Sequence, residues 1–183
     1  MRGIEIRRHD VPAFIKRFQT QLLYALFDCR DSSEILSKGH EDALLLDTQA
    51  IDTIITGEGL DDKDLVISKL LRQDIQKYRS LLPHVSAAIQ SKKHPLKGDT
   101  IQYIYTDSKH NNPLYRVTPI DSVKSLPPYD KEKYKEMIVD AAETVLGFFG
   151  LESYYQKMNI TLTNKGVNGF PPNEEFGGSI DGF

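Results

Sequence analysis

An apolar stripe with a period close to 3.6 residues runs from residue 131 to residue 149. Its members are Tyr134, Met137, Ile138, Ala141, Val145, Leu146 and Phe149. Asp130 suits the N-cap of a helix and Gly150 suits its C-terminal end. Such a helix is stable only when its apolar face is buried against other elements. The stripe therefore predicts a packed, helix-rich domain.

Three other segments show helical patterns. The first follows Asp10, which suits an N-cap, and Pro12, which suits a first turn; it should end near residues 29–32. Its apolar members are Val11, Phe14, Ile15, Phe18, Leu22, Ala25 and Leu26. An acidic helix is predicted for His40–Ile55, ended by the glycines that follow it. A short helix is predicted for Pro83–Gln90.

The strand signals are fewer. Thr100–Thr106 alternates and is rich in aromatic residues, and Leu114–Ile120 can return beside it after a polar turn. Gly3–Arg8 predicts a short N-terminal strand, whereas Leu65–Leu70 fits a strand or a short helix. We expect an α+β fold, predominantly helical, with a short N-terminal strand and a small antiparallel β-hairpin. The tail from Gly166 has five Gly and two Pro, so it should be flexible or fold only against a partner.

The composition fits one intracellular domain with at most a small appendage. The chain has 183 residues, 39% of them apolar, which is enough to bury a core. Its single cysteine, Cys29, excludes an internal disulfide framework and a cysteine-based metal site, and fits a reducing compartment. No apolar run is long enough to cross a bilayer, and no signal-peptide pattern follows the N-terminus. A soluble, cytoplasmic protein with no membrane partner is expected.

The net charge of −3 conceals a strong segregation of charge along the chain. Residues 1–17 hold five Lys or Arg against two acids, and residues 65–97 hold seven against one. Between them, residues 40–64 hold eight Asp or Glu against one lysine. Basic segments of this kind neutralise phosphates in nucleic-acid-binding proteins. They are also typical of solvated helix faces, so charge alone leaves both interpretations open.

Catalytic motifs are missing. The sequence has no phosphate-binding glycine loop and no nucleophile elbow, and its five histidines share no ligand spacing. Asp61, Asp62 and Asp64 lack the glycine and distant glutamate of a calcium loop, so we interpret them as a helix N-terminus in solvent. The sequence predicts no catalytic residues and no metal site. A small enzyme with an unrecognised site remains an alternative.

Four segments, in order, resemble family B DNA polymerases. MRGIEIRRHD at residues 1–10 resembles the last palm motif (K-x-R-G) and its archaeal continuation, without the leading lysine. YRSLLPHV at residues 78–85 resembles Y-K-x-x-x-P-H-V, and GDTIQYI at 98–104 resembles G-x-x-I-x-Y-I. YDKEKY at residues 129–134, running to LGFFG, resembles the helix that starts YD-x-x-Y-Y and ends near FG. Each motif alone is weak, but the ordered set is specific and covers residues 1–150.

The resemblance implies three parts: residues 1–9 as the end of the palm, residues 10–155 as the thumb, and residues 156–183 as a tail. The implied function is to grip primer–template duplex by backbone contacts. The family's exonuclease carboxylates and metal-holding palm motifs have no counterpart here. The stretch Tyr105–Ser108 looks like part of one palm motif, but it has a tyrosine where the first palm aspartate would stand. We therefore expect no polymerase activity from the chain alone, no cofactor in it, and magnesium held by a partner palm subunit.

The resemblance also implies a set of DNA-binding residues, within the two basic segments. They are Arg2, Gly3, Arg7, Arg8, Arg72, Tyr78, Arg79, His84, Lys92 and Lys93. The arginines suit bidentate contacts to phosphate, and His84 follows Pro83 at a helix start, where free amides favour anions. Without the resemblance, the arginines would be ordinary surface residues and His84 a capping or core histidine.

The expected partners are primer–template duplex DNA and a large polymerase subunit with exonuclease, palm and fingers. A sliding clamp is a further candidate partner, although no clear clamp-binding motif is present. The chain would be either the small subunit of a split archaeal-type polymerase, working as a heterodimer, or an excised thumb. The acidic stretch 40–64 matches the family poorly. A non-catalytic scaffold module that kept a thumb-like fold and binds another replication protein is the alternative function.

Overall fold

The computed structural model describes Arg8 and residues 10–61, 63–122 and 127–148. Its helices are α1 (Ala13–Phe27), α2 (Ser32–Glu34), α3 (His40–Thr56), α4 (Pro83–Gln90) and α5 (Lys131–Phe148). Its strands are β1 (Ile67–Leu70), β2 (Thr100–Tyr105) and β3 (Val117–Pro119). A π-helical turn, Ile35–Gly39, joins α2 to α3. The predicted α+β fold, mostly helical with a small antiparallel sheet, is confirmed.

Helices α1, α3 and α5 pack against one another and form what we call the helical bundle. Leu22, Ile54, Tyr134 and Ile138 are fully buried at its centre. The apolar stripes that predicted these helices are the faces they bury, so the periodicity reported the packing correctly. At the start of α5, Asp130 accepts a hydrogen bond from the backbone N–H of Lys133 at 2.9 Å, as expected of an N-cap.

The predicted cap of α1 is wrong. Pro12 occupies the N-cap position with no side-chain hydrogen bond, and the Phe14 N–H donates instead to the backbone oxygen of Asp64 at 3.0 Å. Asp10 accepts from Arg8 and from Lys69 of β1. The Coulomb attraction of two cations, which neutral helix amides lack, favours this arrangement of Asp10 over a cap.

The three strands form an antiparallel sheet in the order β1-β2-β3, which with α4 makes up what we call the sheet region. Residues 65–70, which fitted a strand or a helix, contain the edge strand β1. The return strand is shorter than predicted, because Pro113–Arg116 forms a 3-10 helix before β3. Helix α4 packs on β2 and β3, and the Gln90 amide donates to the backbone oxygens of Leu114 (2.5 Å) and Val117 (3.1 Å).

Aromatic residues of the motif at 129–134 join the bundle to the sheet region. The Tyr134 hydroxyl donates to the Leu65 carbonyl at 2.8 Å and accepts from the Tyr105 N–H at 3.2 Å. The Tyr129 hydroxyl donates to the Ile54 carbonyl near the end of α3 at 2.7 Å. Each bond pairs a backbone group with a side chain from another segment of the chain. The motif is therefore a structural connector.

The acidic segment before β1 is not the solvated helix start that we expected. Asp64 is buried, and its two carboxylate oxygens each accept a bond of 2.7 Å from the Arg17 guanidinium on α1. These bonds lower the pKa of Asp64 against the opposing effect of burial. The pair ties the loop before β1 to the helical bundle.

Four predicted features lie outside the described residues: the strand Gly3–Arg8, of which only Arg8 is described, Asp62, the helix end at Phe149 and Gly150, and the tail from Gly166. In the described part of the chain, no helix has the length and apolarity required to span a membrane.

Candidate functional site

The site begins with three charged side chains from two distant segments. Arg8 donates to Asp10 through Nε (3.1 Å) and Nη2 (3.3 Å), and the Lys69 ammonium donates to the same carboxylate. Lys69 belongs to the edge strand β1, whereas Arg8 and Asp10 precede α1. The bonds from Arg8 are the largest cause of a strongly lowered Asp10 pKa, so the carboxylate is ionised at any physiological pH. The group carries a net charge of +1.

His84 lies next to this group at the start of α4. Leu82 is the N-cap and Pro83 the first helical residue, so proline's fixed φ helps to begin the helix immediately before His84. The imidazole is 8% exposed and meets the ring of Tyr78 edge-on, with centroids 5.5 Å apart. Burial lowers the pKa of His84, and the positive charge of Lys69 lowers it further. His84 is therefore neutral at pH 7.

Tyr78 connects His84 to Arg72. It follows the 3-10 turn Ile75–Lys77, and its hydroxyl accepts a hydrogen bond from the Arg72 backbone N–H at 3.1 Å. Arg72 and Arg79 are both exposed. The hydrogen bond holds the backbone of Arg72 beside Tyr78, and Arg79 follows Tyr78 directly in the chain. We call Arg8, Asp10, Lys69, Arg72, Tyr78 and His84 the β1–α4 cluster.

Lys92 and Lys93 lie beyond the opposite end of α4 from His84. Both are exposed, and the Lys93 N–H donates to the Ser91 hydroxyl at 3.2 Å. An eight-residue helix is about 12 Å long, so these lysines are separate from the β1–α4 cluster. Lys93 borders an open depression of about 420 Å³ between the loop after α4 and β2.

The structure thus brings some of the predicted residues together and leaves others apart. It joins Arg8 to Lys69 through Asp10, packs Tyr78 against His84, holds Arg72 through its backbone, and leaves Arg79, Lys92 and Lys93 exposed. Arg2, Gly3 and Arg7 lie outside the described residues. The buried imidazole of His84 favours a supporting role for Tyr78 over an open phosphate contact. That role, like the other assignments, stays a prediction.

Sequence reasoning missed Lys69 and the second role of Asp10. Lys69 stands in the basic segment 65–97, which was the only signal for it. The segment Leu65–Leu70 fitted two secondary structures, so the direction of the lysine side chain could not be assigned. Asp10 had a local explanation as a cap, and its partner is 59 residues away.

A metal centre has no candidate ligand set among the described residues, since no three of their His, Cys, Asp and Glu side chains are grouped to hold an ion. The stretch Tyr105–Ser108 ends β2 and enters a turn. There the Ser108 N–H donates to the Asp130 carboxylate at 2.6 Å, while Asp107 is exposed. The stretch therefore has a structural role at the junction with α5.

Comparisons with known proteins agree on one family. The model of DNA polymerase family B matches residues 1–149. Among solved structures, the family B DNA polymerase from the hyperthermophilic archaeon Pyrobaculum calidifontis is similar, with a TM-score of 0.62 and 21% sequence identity. The match covers 73% of this chain but only 17% of that polymerase. A search of curated proteins found no match.

Proposed function

Because the chain belongs to DNA polymerase family B, we propose that it is the thumb part of such a polymerase and grips primer–template duplex. In this proposal residues 1–9 end the palm, residues 10–155 form the thumb, and residues 156–183 are a tail. The contacts go to phosphates, because a polymerase has to hold any sequence equally. Binding is then salt-dependent and largely independent of base sequence.

The observation that carries the proposal is the gathering of cations around β1 and the start of α4. Arg8 and Lys69 share one carboxylate there, and Arg72 and Arg79 are exposed beside Tyr78. Guanidinium groups bind phosphate oxygens in a bidentate manner. The residues come from three segments of the chain, and two of those segments carry the family motifs at 1–10 and 78–85.

The proposal assigns no chemistry to this chain. Two-metal phosphoryl transfer needs carboxylates that bridge both ions, and the family carries those carboxylates in the palm. A separate large chain with exonuclease, palm and fingers would supply them and hold the magnesium. The two chains together would form an archaeal-type split polymerase, with this chain as its small subunit.

A salt titration tests duplex binding directly. The full chain is mixed with a labelled duplex of random sequence, and affinity is measured by fluorescence anisotropy between 50 and 200 mM salt. Three or four phosphate contacts predict a slope of log K against log salt of roughly −3 to −4. Arg72→Ala and Arg79→Ala should each reduce its magnitude by about one. Lys135→Ala, on the helical bundle, is the matched control and should leave the slope unchanged.

The absence of salt-dependent binding would contradict the thumb proposal and favour a protein-binding scaffold. Reconstitution tests the partner separately. The chain is added to a catalytic chain that carries the palm carboxylates, and primer extension is measured with and without it. A gain in extension is expected, reduced by Arg72→Ala combined with Arg79→Ala. Salt-dependent binding without any gain would retain DNA binding and reject the split-subunit assignment.

A further inference from the structure

We propose that Lys69 is a further phosphate-contacting residue of this surface and that Asp10 is a positioning residue, which holds Lys69 and Arg8 side by side. The inference rests on the proposed function and deepens it. It adds Lys69, a described cation that the sequence motifs did not include, to the residues proposed to contact phosphate. It also gives the acidic residue of the cluster a defined role in binding an anion.

The first step is the bridging geometry. The two carboxylate oxygens of Asp10 receive Arg8 Nε at 3.1 Å and Arg8 Nη2 at 3.3 Å, and one of them also receives the Lys69 ammonium. Two cations that are 61 positions apart in the sequence therefore meet on one carboxylate. A bidentate guanidinium contact fixes the plane of the carboxylate, which in turn fixes the direction of the ammonium.

The second step is the electrostatic role of Asp10. Two like charges at this separation repel each other, and without an intervening anion their long side chains would move apart into solvent. One carboxylate offsets that repulsion while leaving the trio with an excess positive charge. The arrangement thus concentrates charge in a form that an external phosphate can still neutralise.

The third step is access. The Arg8 side chain is 51% exposed and that of Lys69 is 37% exposed, whereas that of Asp10 is 22% exposed. The cations therefore present more of their surface to solvent than the anion that joins them. An ammonium has three donor hydrogens, and the bond to Asp10 uses one of them. A phosphate can approach the cations from the solvent side without displacing Asp10.

The fourth step is the continuity of the surface. Lys69 lies close enough to His84 for its charge to lower the pKa of that imidazole. His84 meets Tyr78, and Tyr78 binds the backbone of Arg72. Lys69 lies three residues before Arg72 in the chain, so its bond to Asp10 joins Arg8 to the basic segment that also carries Arg72 and Arg79.

The test compares charge removal with charge retention at Lys69. Duplex binding is titrated with salt for Lys69→Met and Lys69→Arg, with Lys135→Met as the matched control on α5. Lys69→Met should reduce the magnitude of the salt slope by about one and weaken binding about three- to tenfold at 100 mM salt. Lys69→Arg and Lys135→Met should keep the wild-type slope. An equal loss in Lys69→Met and Lys69→Arg would overturn the phosphate contact, because arginine keeps the positive charge that methionine removes.

Asp10→Asn tests the positioning role, with Asp52→Asn on the exposed face of α3 as its control. Asp10→Asn should weaken duplex binding and reduce the salt slope, although it removes a negative charge. The double variant Asp10→Asn, Lys69→Met should have an affinity within about twofold of that of Lys69→Met alone, since both changes act through one group. Tighter binding by Asp10→Asn would overturn the positioning role, because it would mean that the carboxylate competes with phosphate.

The results separate this inference from the function on which it rests. A wild-type chain without salt-dependent binding rejects both. If the wild-type chain binds, and the salt slope falls in Arg72→Ala but not in Lys69→Met, only the role of Lys69 is rejected. NMR titration of His84 gives a readout without DNA: the imidazole pKa should rise in Lys69→Met relative to wild type. An unchanged pKa would contradict the placement of Lys69 beside His84.

Discussion

The helical bundle and the sheet region differ in how they are held together. The bundle buries long apolar stripes from three helices, including Leu22, Ile54 and Ile138. The sheet region has a smaller apolar core and depends more on directed polar contacts, such as the Gln90 amide and the ion pairs of Asp10. Burial of an unpaired charge is costly, so an apolar core suits stability, whereas directed polar contacts can hold cations in fixed positions near the surface. The contrast places stability mainly in the bundle and the candidate site in the sheet region.

The largest effect should come from the bundle core. Leu22→Ala leaves a cavity among α1, α3 and α5, because the leucine side chain is fully buried. We expect the free energy of unfolding to fall by about 3–4 kcal/mol, measured by denaturant titration with circular dichroism. Leu45→Ala, where the leucine is 48% exposed on α3, is the control and should cost less than about 1 kcal/mol. Equal losses would contradict the assignment of Leu22 to the packed core of the bundle.

The junction between the two regions should give the next largest effect. Tyr134→Phe removes the hydroxyl that serves both the Leu65 carbonyl and the Tyr105 N–H. Two hydrogen bonds, one of them buried, are then lost, which should cost about 2–3 kcal/mol of unfolding free energy. Tyr24→Phe, at an exposed position on α1, should be nearly neutral. If Tyr134→Phe were also neutral, apolar packing and not hydrogen bonding would join the regions.

A smaller effect is expected at the end of α3. Gly57 has a φ of +79°, a left-handed conformation in which the side chain of an L-residue is strained. Gly57→Ala should therefore lower the unfolding free energy by about 1–2 kcal/mol. Gly57→Asn should cost less, because asparagine adopts this conformation more readily. The reverse ranking in a thermal melt would show that contact with Tyr129, and not backbone conformation, limits this position.

The smallest effect should be a pH dependence in the sheet region. Burial lowers the pKa of His84 in the folded chain, so the unfolded chain binds more protons between that pKa and the ordinary value near 6.5. The contribution of His84 to stability is therefore present above about pH 6.5 and is lost as the pH falls through this window.

The measurement compares melting temperatures at pH 7.5 and pH 5.5 for wild type and His84→Phe. The phenylalanine keeps an aromatic edge against Tyr78 and cannot titrate, so the variant should lose less stability on acidification. His40, whose pKa is also lowered by burial, accounts for a pH dependence that remains. The same pH dependence in both proteins would contradict the protonation state assigned to His84.

Local signals were enough to predict the helices. The bounds of Pro83–Gln90 agree with the structure because proline fixes the start of the helix and the Lys-Lys-His-Pro run ends it. The acidic helix was predicted from the glycines that end it, and the helix after Asp130 from its period and its cap. The family resemblance came from motifs that the structure explains as connectors, such as Tyr129, Asp130 and Tyr134.

Long-range pairing accounts for what could not be predicted. Asp10 fits a cap locally, but Lys69 offers it a stronger partner 59 residues away. Asp64 stands in an acidic run that looks solvated, yet its side chain is buried and pairs with Arg17 of α1. The motif residues of the candidate site were therefore predicted, whereas Lys69 was missed. Its segment fitted either a strand or a helix, so the direction of its side chain could not be assigned.

The hydroxyl of Tyr134 has a consequence for the order of folding. It closes loops of 69 residues to Leu65 and 29 residues to Tyr105, so its two bonds form only after most of the chain has collapsed. During synthesis from the N-terminus, β1 and β2 would leave the ribosome before the residue that locks them to the bundle. The edge strand that carries Lys69 should then be the last part of the molecule to gain protection from amide hydrogen exchange.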